Sequence, residues 1–305
     1  MLKSKKSIRL SKVTRYQNAA LEYYLGITDS PYLHYGYWEP LPTTNDELTL
    51  SRLRAAQEAY SKRLLDFIPA GIKTVLDVGC GIGGNAASLL ERGFTVEGLA
   101  PDTSQQSRFL KHTNSQAPFH LTTFEEFQSP HSYDLILFSE SSQYMAADDL
   151  ATGAARLLSS GGYLLLADML RVDAEYRSGI FSNCHVAAEL NAALVRAGFN
   201  LVKSEDISAQ VLPTLDMSVH LFRTFGLTTM NYIAEMASIA VPPLHALIGR
   251  LFGRQVKQLI AERVEAPAIF KRHLCYEIQL WQLLDKEGIC ASSGIEKNNG
   301  YTDGN

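Results

Sequence analysis

Short apolar runs alternate with helix-period stretches through the middle of the chain. Thr74–Val78, Thr95–Leu99, Phe119–Thr122, Asp134–Ser139 and Gly162–Ala167 are mostly apolar and only a few residues long, and read as strands. Between them, Asn85–Arg92, Thr103–Thr113 and Ala147–Leu158 carry apolar residues at helical spacing. This alternation predicts βαβ units: an α/β fold with half of a doubly wound parallel sheet, whose ligand crevice opens at the carboxyl ends of the strands. A further helix, Val186–Ala197, is stopped by Gly198 and leads into a sixth strand at Asn200–Ser204; Cys275–Leu280 reads as a seventh.

The same pattern sets the organisation. Residues 1–70 form a helical segment with an aromatic, proline-rich loop at Tyr32–Thr44; 71–210 form the core; 273–284 return to it as the last strand. Residues 285–305 are rich in Gly, Asn and Ser and read as a disordered tail. The insertion at 211–272 is too long for a plain loop. Its apolar positions are Val219, Leu221, Phe222, Phe225, Met230, Tyr232, Ile233, Met236 and Ile239, then Leu244, Leu247, Ile248, Leu251 and Phe252. They suit a helical lid over an apolar guest. Residue by residue, plain packing against the sheet is the better reading for most of them.

Composition narrows the classes. A formal net charge of −4 over 305 residues gives no field that favours nucleic acid. The four cysteines have no C-x-x-C spacing, and the histidines show neither H-x-x-x-H nor H-E-x-x-H, so no metal site is expected and His185 reads as an ordinary helix residue. Lys3, Lys5, Lys6, Arg9, Lys12 and Arg15 make a basic start without a signal-peptide core. A solvated helix in a cytoplasmic protein is the expectation; a transit peptide or a contact with an anionic surface is the alternative. The apolar stretch Met236–Gly249 is shorter than a membrane span and holds Pro242-Pro243, so no integral membrane segment is expected. Peripheral contact through Leu247, Leu251 and Phe252, beside Arg250 and Arg254, stays open.

The chemistry centres on the turn after the first strand, Val75-Leu76-Asp77-Val78-Gly79-Cys80-Gly81-Ile82-Gly83-Gly84. Gly79, Gly81 and Gly84 satisfy G-x-G-x-x-G, which nicotinamide enzymes also use. Asp77 shifts the balance. A carboxylate at the strand end would repel a pyrophosphate, whereas it suits a ligand with an ammonium group, such as S-adenosyl-L-methionine, which carries a sulfonium and no phosphate. Helix capping is the structural alternative for Asp77.

This turn resembles the first motif of class I methyltransferases, especially those acting on tocopherols, sterols, alkaloids and fatty-acyl chains. Upstream, Leu33-His34-Tyr35-Gly36-Tyr37-Trp38-Glu39-Pro40 is similar to the H-x-G-[FY]-[YW]-[ED]-P segment of the tocopherol type, and Leu53-Arg54-Ala55-Ala56-Gln57 to its R-x-A-Q. Downstream, Glu140-Ser141-Ser142-Gln143-Tyr144-Met145 lines up with E-S-G-E-H-M. The resemblance spans about residues 32–168 and implies a Rossmann-like class I methyltransferase fold, S-adenosyl-L-methionine as cofactor and a small apolar or amphipathic metabolite as acceptor. It implies a donor site on Asp77, Gly79, Cys80, Gly81 and Gly83, with Ser139 and Gln143 at the fourth strand. Two departures stand out. The usual ribose-binding acid position is Ala100, which leaves Pro101, Asp102 and Gln106 to take that role, and the usual Asp-Ala pair near adenine is replaced by Thr123-Phe124-Glu125.

Methyl transfer from a sulfonium needs alignment, water exclusion and, for some acceptors, a base. Glu140, after an apolar strand, is the leading catalytic candidate: a base, an orienting group or a structural carboxylate. Tyr144, four residues on, would share its face on a helix; it stands where the family has histidine, so no proton-transfer role carries over. Tyr35, Tyr37 and Trp38 could cover the sulfonium through their ring faces or simply pack. His34 is a third catalytic candidate with a structural alternative. A nicotinamide oxidoreductase and a non-catalytic binding module are the competing functions; Asp77 and the E-S segment oppose the first, and the intact glycine turn opposes the second.

Overall fold

The computed structural model describes residues 26–284. The basic N-terminal residues, Cys290 and the predicted tail lie outside the described residues, as do the side chains of Leu244, Leu247, Ile248, Leu251 and Phe252. Helix α1 (Leu50–Leu65) precedes the core. There β1 (Thr74–Val78), α2 (Gly84–Glu91), β2 (Thr95–Leu99), α3 (Thr103–His112), β3 (Phe119–His120), β4 (Tyr133–Ser139), α4 (Ala147–Leu157) and β5 (Leu158–Arg171) follow in the expected alternation. Helix α5 (Ala187–Arg196), β6 (Phe199–Asp206) and β7 (Leu274–Leu283) complete the sheet. Its order is β3-β2-β1-β4-β5-β7-β6, with β7 antiparallel to both neighbours.

The central strands are buried on both faces. Val75, Leu76, Leu135, Ile136, Leu137, Phe138, Leu164 and Leu165 have no exposure, or nearly none, so β1, β4 and β5 read as continuous apolar runs rather than alternating ones. At roughly 1.5–3 kcal/mol per fully buried large side chain, this central slab dominates the drive to fold. Strand β5 extends past its predicted end at Ala167, through Asp168 to Arg171. The charge of Asp168 disguised the extension. Its carboxylate is buried but accepts hydrogen bonds from Ser142 N (3.0 Å), Ser142 Oγ (2.6 Å) and Met169 N (2.8 Å), while the backbone pairs with β7 through Asp168–Glu277 to Arg171–Leu274.

The insertion is helical. Helix α6 (Ser208–Leu221) passes through a π-helical turn (Phe222–Leu227) into α7 (Thr228–Ala240); α8 (Pro242–Val264) runs back, and α9 (Ala266–His273) leads into β7. Proline at the first position of α8 is tolerated because that N–H has no intrahelical partner. The expected core packing fails for α7. Phe225 in the π-turn and Met230, Tyr232, Ile233, Met236 and Ile239 in α7 are all exposed, because α7 packs mainly along α8 and the π-turn. Among the described residues, no helix is long and apolar enough to cross a membrane.

Candidate active site

The crevice lies where the topology predicts it, at the carboxyl ends of β1, β2 and β4, as a cleft of about 680 Å³. Its floor is the glycine turn. Gly79 adopts φ +72°, its N–H donates to Leu99 O (2.8 Å), and a β-carbon there would stand 2.3 Å from Ser141 Cβ; only glycine fits between β1 and the turn after β4. Asp77 is buried beside it, its Oδ2 without a partner among the described residues, and burial pushes its carboxyl up to about 7. The capping alternative is thereby removed: Asp77 caps no helix, and α2 begins after Gly83 in the left-handed conformation.

The second wall is Ala100-Pro101-Asp102. Asp102 caps α3, accepting from Ser104 N (2.8 Å) with Oδ1, and its buried Oδ2 has no partner among the described residues. Gln105, not Gln106, lines the cleft; the two are about 100° apart on a helix, and the sequence alone did not fix the phase of α3. Thr123, Phe124, Glu125, Ser139, Gln143, Cys80 and Gly81 also line it, and Gly83 does not, since it faces Phe109.

The aromatic loop departs furthest from expectation. Tyr32, Leu33 and His34 line the cleft, whereas Tyr35, Tyr37 and Trp38 do not. Trp38 is 2% exposed among Leu48, Leu53, Ala56 and Met217, its Nε1 donating to Thr214 Oγ1 (2.9 Å). The backbone of Tyr37 is tied to Ala56 O (2.7 Å), and its ring packs on the main core. These two rings anchor the loop; they are not placed to face a sulfonium in the cleft.

Glu140 sits where β4 turns out of the sheet, at φ +54°, a strained conformation for a residue other than glycine. Its Oε1 accepts from Tyr35 N (2.7 Å) and from Tyr276 Oη (2.8 Å). Tyr276 Oη lies 2.8 Å from Tyr60 Oη, which lies 3.3 Å from Ser139 Oγ. Burial pushes the Glu140 carboxyl up to about 8, partly offset by those two donors, and holds both phenols well above their usual range. Tyr276, on β7, went unnoticed in the sequence: nothing links it to Glu140 except the antiparallel return of the last strand. Tyr144 also lines the cleft but is 61% exposed at its rim. The four-residue offset from Glu140 carries no helical meaning, because a left-handed turn and a short 3-10 turn (Ser142–Tyr144) intervene. His185 lies ahead of α5 rather than within a helix, its Nε2 2.9 Å from Ser142 O, where it steadies the same loop.

His34 separates this cleft from a second cavity of about 520 Å³ and lines both. Its ring lies between Tyr32 and Tyr60, with centroids 5.0 and 4.1 Å away. Its Nδ1 is 2.8 Å from Tyr35 O, and burial lowers its pKa to about 4, so the neutral ring donates from Nδ1. Nε2 is buried without a hydrogen-bond partner among the described residues. The second cavity is mainly apolar, walled by Leu33, Leu50, Leu53, Ile180, Phe181, Leu215, Met217, Leu221 and Phe222, with Thr28, Thr214, Ser218 and Arg263 as polar members.

Comparison with known proteins agrees with this geometry. A family model described as a methyltransferase domain matches residues 50–204. The methyltransferase GfsG of Streptomyces halstedii is 30% identical over 201 residues, 60% of this chain and 70% of the relative. The 2-methyl-6-phytyl-1,4-hydroquinone methyltransferase of Synechocystis is 30% identical over 157 residues; the match takes in half of this chain and 48% of that relative's length. Among solved structures, the fold is shared with the [4+2]-cyclase SpnF (TM-score 0.65, 16% identity, 90% of this chain and 96% of that one). It is shared as well with a geranyl diphosphate C-methyltransferase from Streptomyces coelicolor A3(2) (TM-score 0.60, 14% identity, 90% and 94%).

Proposed function

The chain belongs to the methyltransferase-domain family, and we propose that its acceptor is a small, largely apolar metabolite held in the cavity beyond Leu33 and His34, next to the donor cleft. Its activity is methyl transfer to a small molecule with S-adenosyl-L-methionine as donor. The cleft residues fit that donor. Asp77 Oδ2 and Asp102 Oδ2 are buried carboxylate oxygens without partners among the described residues, suited to an ammonium and to ribose hydroxyls, and the glycine turn leaves backbone open to close approach. When bound, the donor supplies a methyl group already activated on a sulfonium.

The observation that carries the acceptor reading is the shared wall: one histidine and one leucine divide a polar-edged cleft from an apolar cavity. Leu33 and His34 stand between the two, and Glu140, fixed through Oε1 by Tyr35 and Tyr276, keeps its other oxygen free of hydrogen bonds from the described residues, to orient an acceptor or take its proton. Incubating a host extract with deuterium-labelled donor should yield a labelled apolar product by mass spectrometry. Ile180→Trp, which fills the second cavity without touching the cleft, should raise the acceptor KM by about tenfold or more at unchanged donor affinity. A strongly charged product, or no effect of the tryptophan, overturns the placement.

Asp77 gives a second test. A carboxyl raised to about 7 is protonated below that pH, and a cationic ligand favours its ionised form. Donor affinity should therefore rise with pH up to about 7 and then level, changing by as much as ~tenfold per unit on the acid side, with proton release on binding near neutrality. Calorimetry in buffers of different ionisation enthalpy checks this. Asp77→Asn should bind more weakly and without the pH dependence; an unchanged slope removes Asp77 from donor binding. The sign for stability is opposite: a raised carboxyl pKa costs stability progressively as pH climbs from about 4 to 7, so Asp77→Asn should not lower Tm at neutral pH.

A further inference from the structure

We infer that the α7–α8 hairpin docks the enzyme on an anionic lipid bilayer, with α7 entering the interface and a cationic stripe of α8 meeting the headgroups. Helix α7 and the turn before it present Phe225, Met230, Tyr232, Ile233, Met236 and Ile239 to solvent, and Glu235 is the one charged residue of the helix. A helix with that much uncovered apolar surface is not stabilised by this fold alone. The return helix supplies the sign of the partner. Arg250, Arg254 and Lys257 are exposed, stand at i, i+4 and i+7 on one face of α8, and make no ion pair among the described residues. Across residues 222–264, Arg223, Arg250, Arg254, Lys257 and Arg263 stand against Glu235 and Glu262, in a chain whose net charge is −4. A locally cationic, apolar hairpin on an acidic protein fits an anionic interface and is poorly matched to a second copy of itself, which would set the same positive stripe against its own.

The hairpin also has the right roots. Leu221 and Phe222, which lead into it, Arg263 in the last turn of α8 and Ala266 just past that helix line the apolar cavity. Docking through α7 and α8 would bring that cavity close to the bilayer, from which an apolar acceptor can be drawn without crossing water. This last step rests on the acceptor reading above; the docking itself does not.

The test uses the full chain without donor or acceptor. Flotation with vesicles of phosphatidylcholine, with and without about one-third phosphatidylglycerol, should show binding to the anionic vesicles and its loss in high salt. The triple substitution Arg250→Gln, Arg254→Gln, Lys257→Gln should weaken binding by about tenfold or more. Tyr232→Ser with Ile233→Ser and Met236→Ser should weaken it comparably, and because those side chains are exposed both variants should stay folded by circular dichroism. Absence of vesicle binding overturns the proposal. So does binding that survives both sets of changes, which would belong to another basic segment such as residues 3–15. Concentration-dependent self-association abolished by the serine substitutions, with vesicles ignored, would assign the face to a second copy instead. Vesicle binding with a polar product in the extract assay would leave the docking standing and remove only the acceptor reading.

Discussion

Gly79→Ala should lower affinity for S-adenosylhomocysteine by about a hundredfold or more while the protein stays folded. Two costs meet at this position. The backbone is at φ +72°, where an L-residue is disfavoured by about 1–2 kcal/mol. The new methyl would stand 2.3 Å from Ser141 Cβ and 2.9 Å from its Oγ, and overpacking of this kind costs about 1–3 kcal/mol. Ser141 cannot swing aside freely, because its Oγ donates to Val78 O at 2.6 Å in a buried bond. Relief therefore comes from moving the glycine turn or the segment that starts at Glu140, and both line the donor cleft. Gly93→Ala is the control. It has φ +89° and nothing within 4 Å of the added carbon, so it should pay the backbone cost alone, with lower Tm and unchanged affinity. Calorimetry beside circular dichroism reads both. A folded Gly79→Ala protein with wild-type affinity would remove the turn from the donor site.

The cleft proposed for the donor was legible because the residues that line it are local. Strand β1, its glycines and Asp77 lie within ten residues of one another, and apolar runs bounded by turns leave little choice of topology. The failures share a different cause. Tyr37 and Trp38 carry the residue types of a sulfonium cover, but one faces the main core and the other is locked to Thr214 on α6, 176 residues away. Asp168 looked like the end of a strand because its three hydrogen bonds come from the backbone and from a loop that only the fold brings near. The Glu140–Tyr276 bond spans 136 residues and depends on β7 returning antiparallel beside β5. Helix α7 erred the other way: an apolar stripe reads as core from the sequence, and periodicity cannot say whether a sheet face waits opposite it.

Glu140→Gln should reduce kcat by about 10²–10⁴, the range for a positioned acid or base, with donor affinity within a few-fold of wild type. The amide keeps an oxygen to accept from Tyr35 N and Tyr276 Oη, so the turn at φ +54° is still held and the change is confined to the free oxygen of the carboxylate. With the carboxyl raised to about 8, wild-type kcat should climb as pH approaches 8 from below and then level; the glutamine variant should lose that limb. Tyr276→Phe separates base from scaffold. Removing a donor to the carboxylate raises its pKa further, so the limb should move to higher pH, with a deficit near pH 7 that shrinks above 9. An orienting role would appear mainly as a higher acceptor KM, and a purely structural one as lost Tm at unchanged kcat. The linkage sign sharpens that last distinction. A carboxyl whose folded pKa lies above its unfolded one gives up stability as pH rises through about 8, so Glu140→Gln should match or exceed wild-type Tm at alkaline pH. A strained, half-buried, proton-holding residue whose neutral replacement is no less stable but far slower is placed there for the reaction; wild-type turnover in the folded variant would leave methyl transfer to proximity in the two adjoining cavities alone.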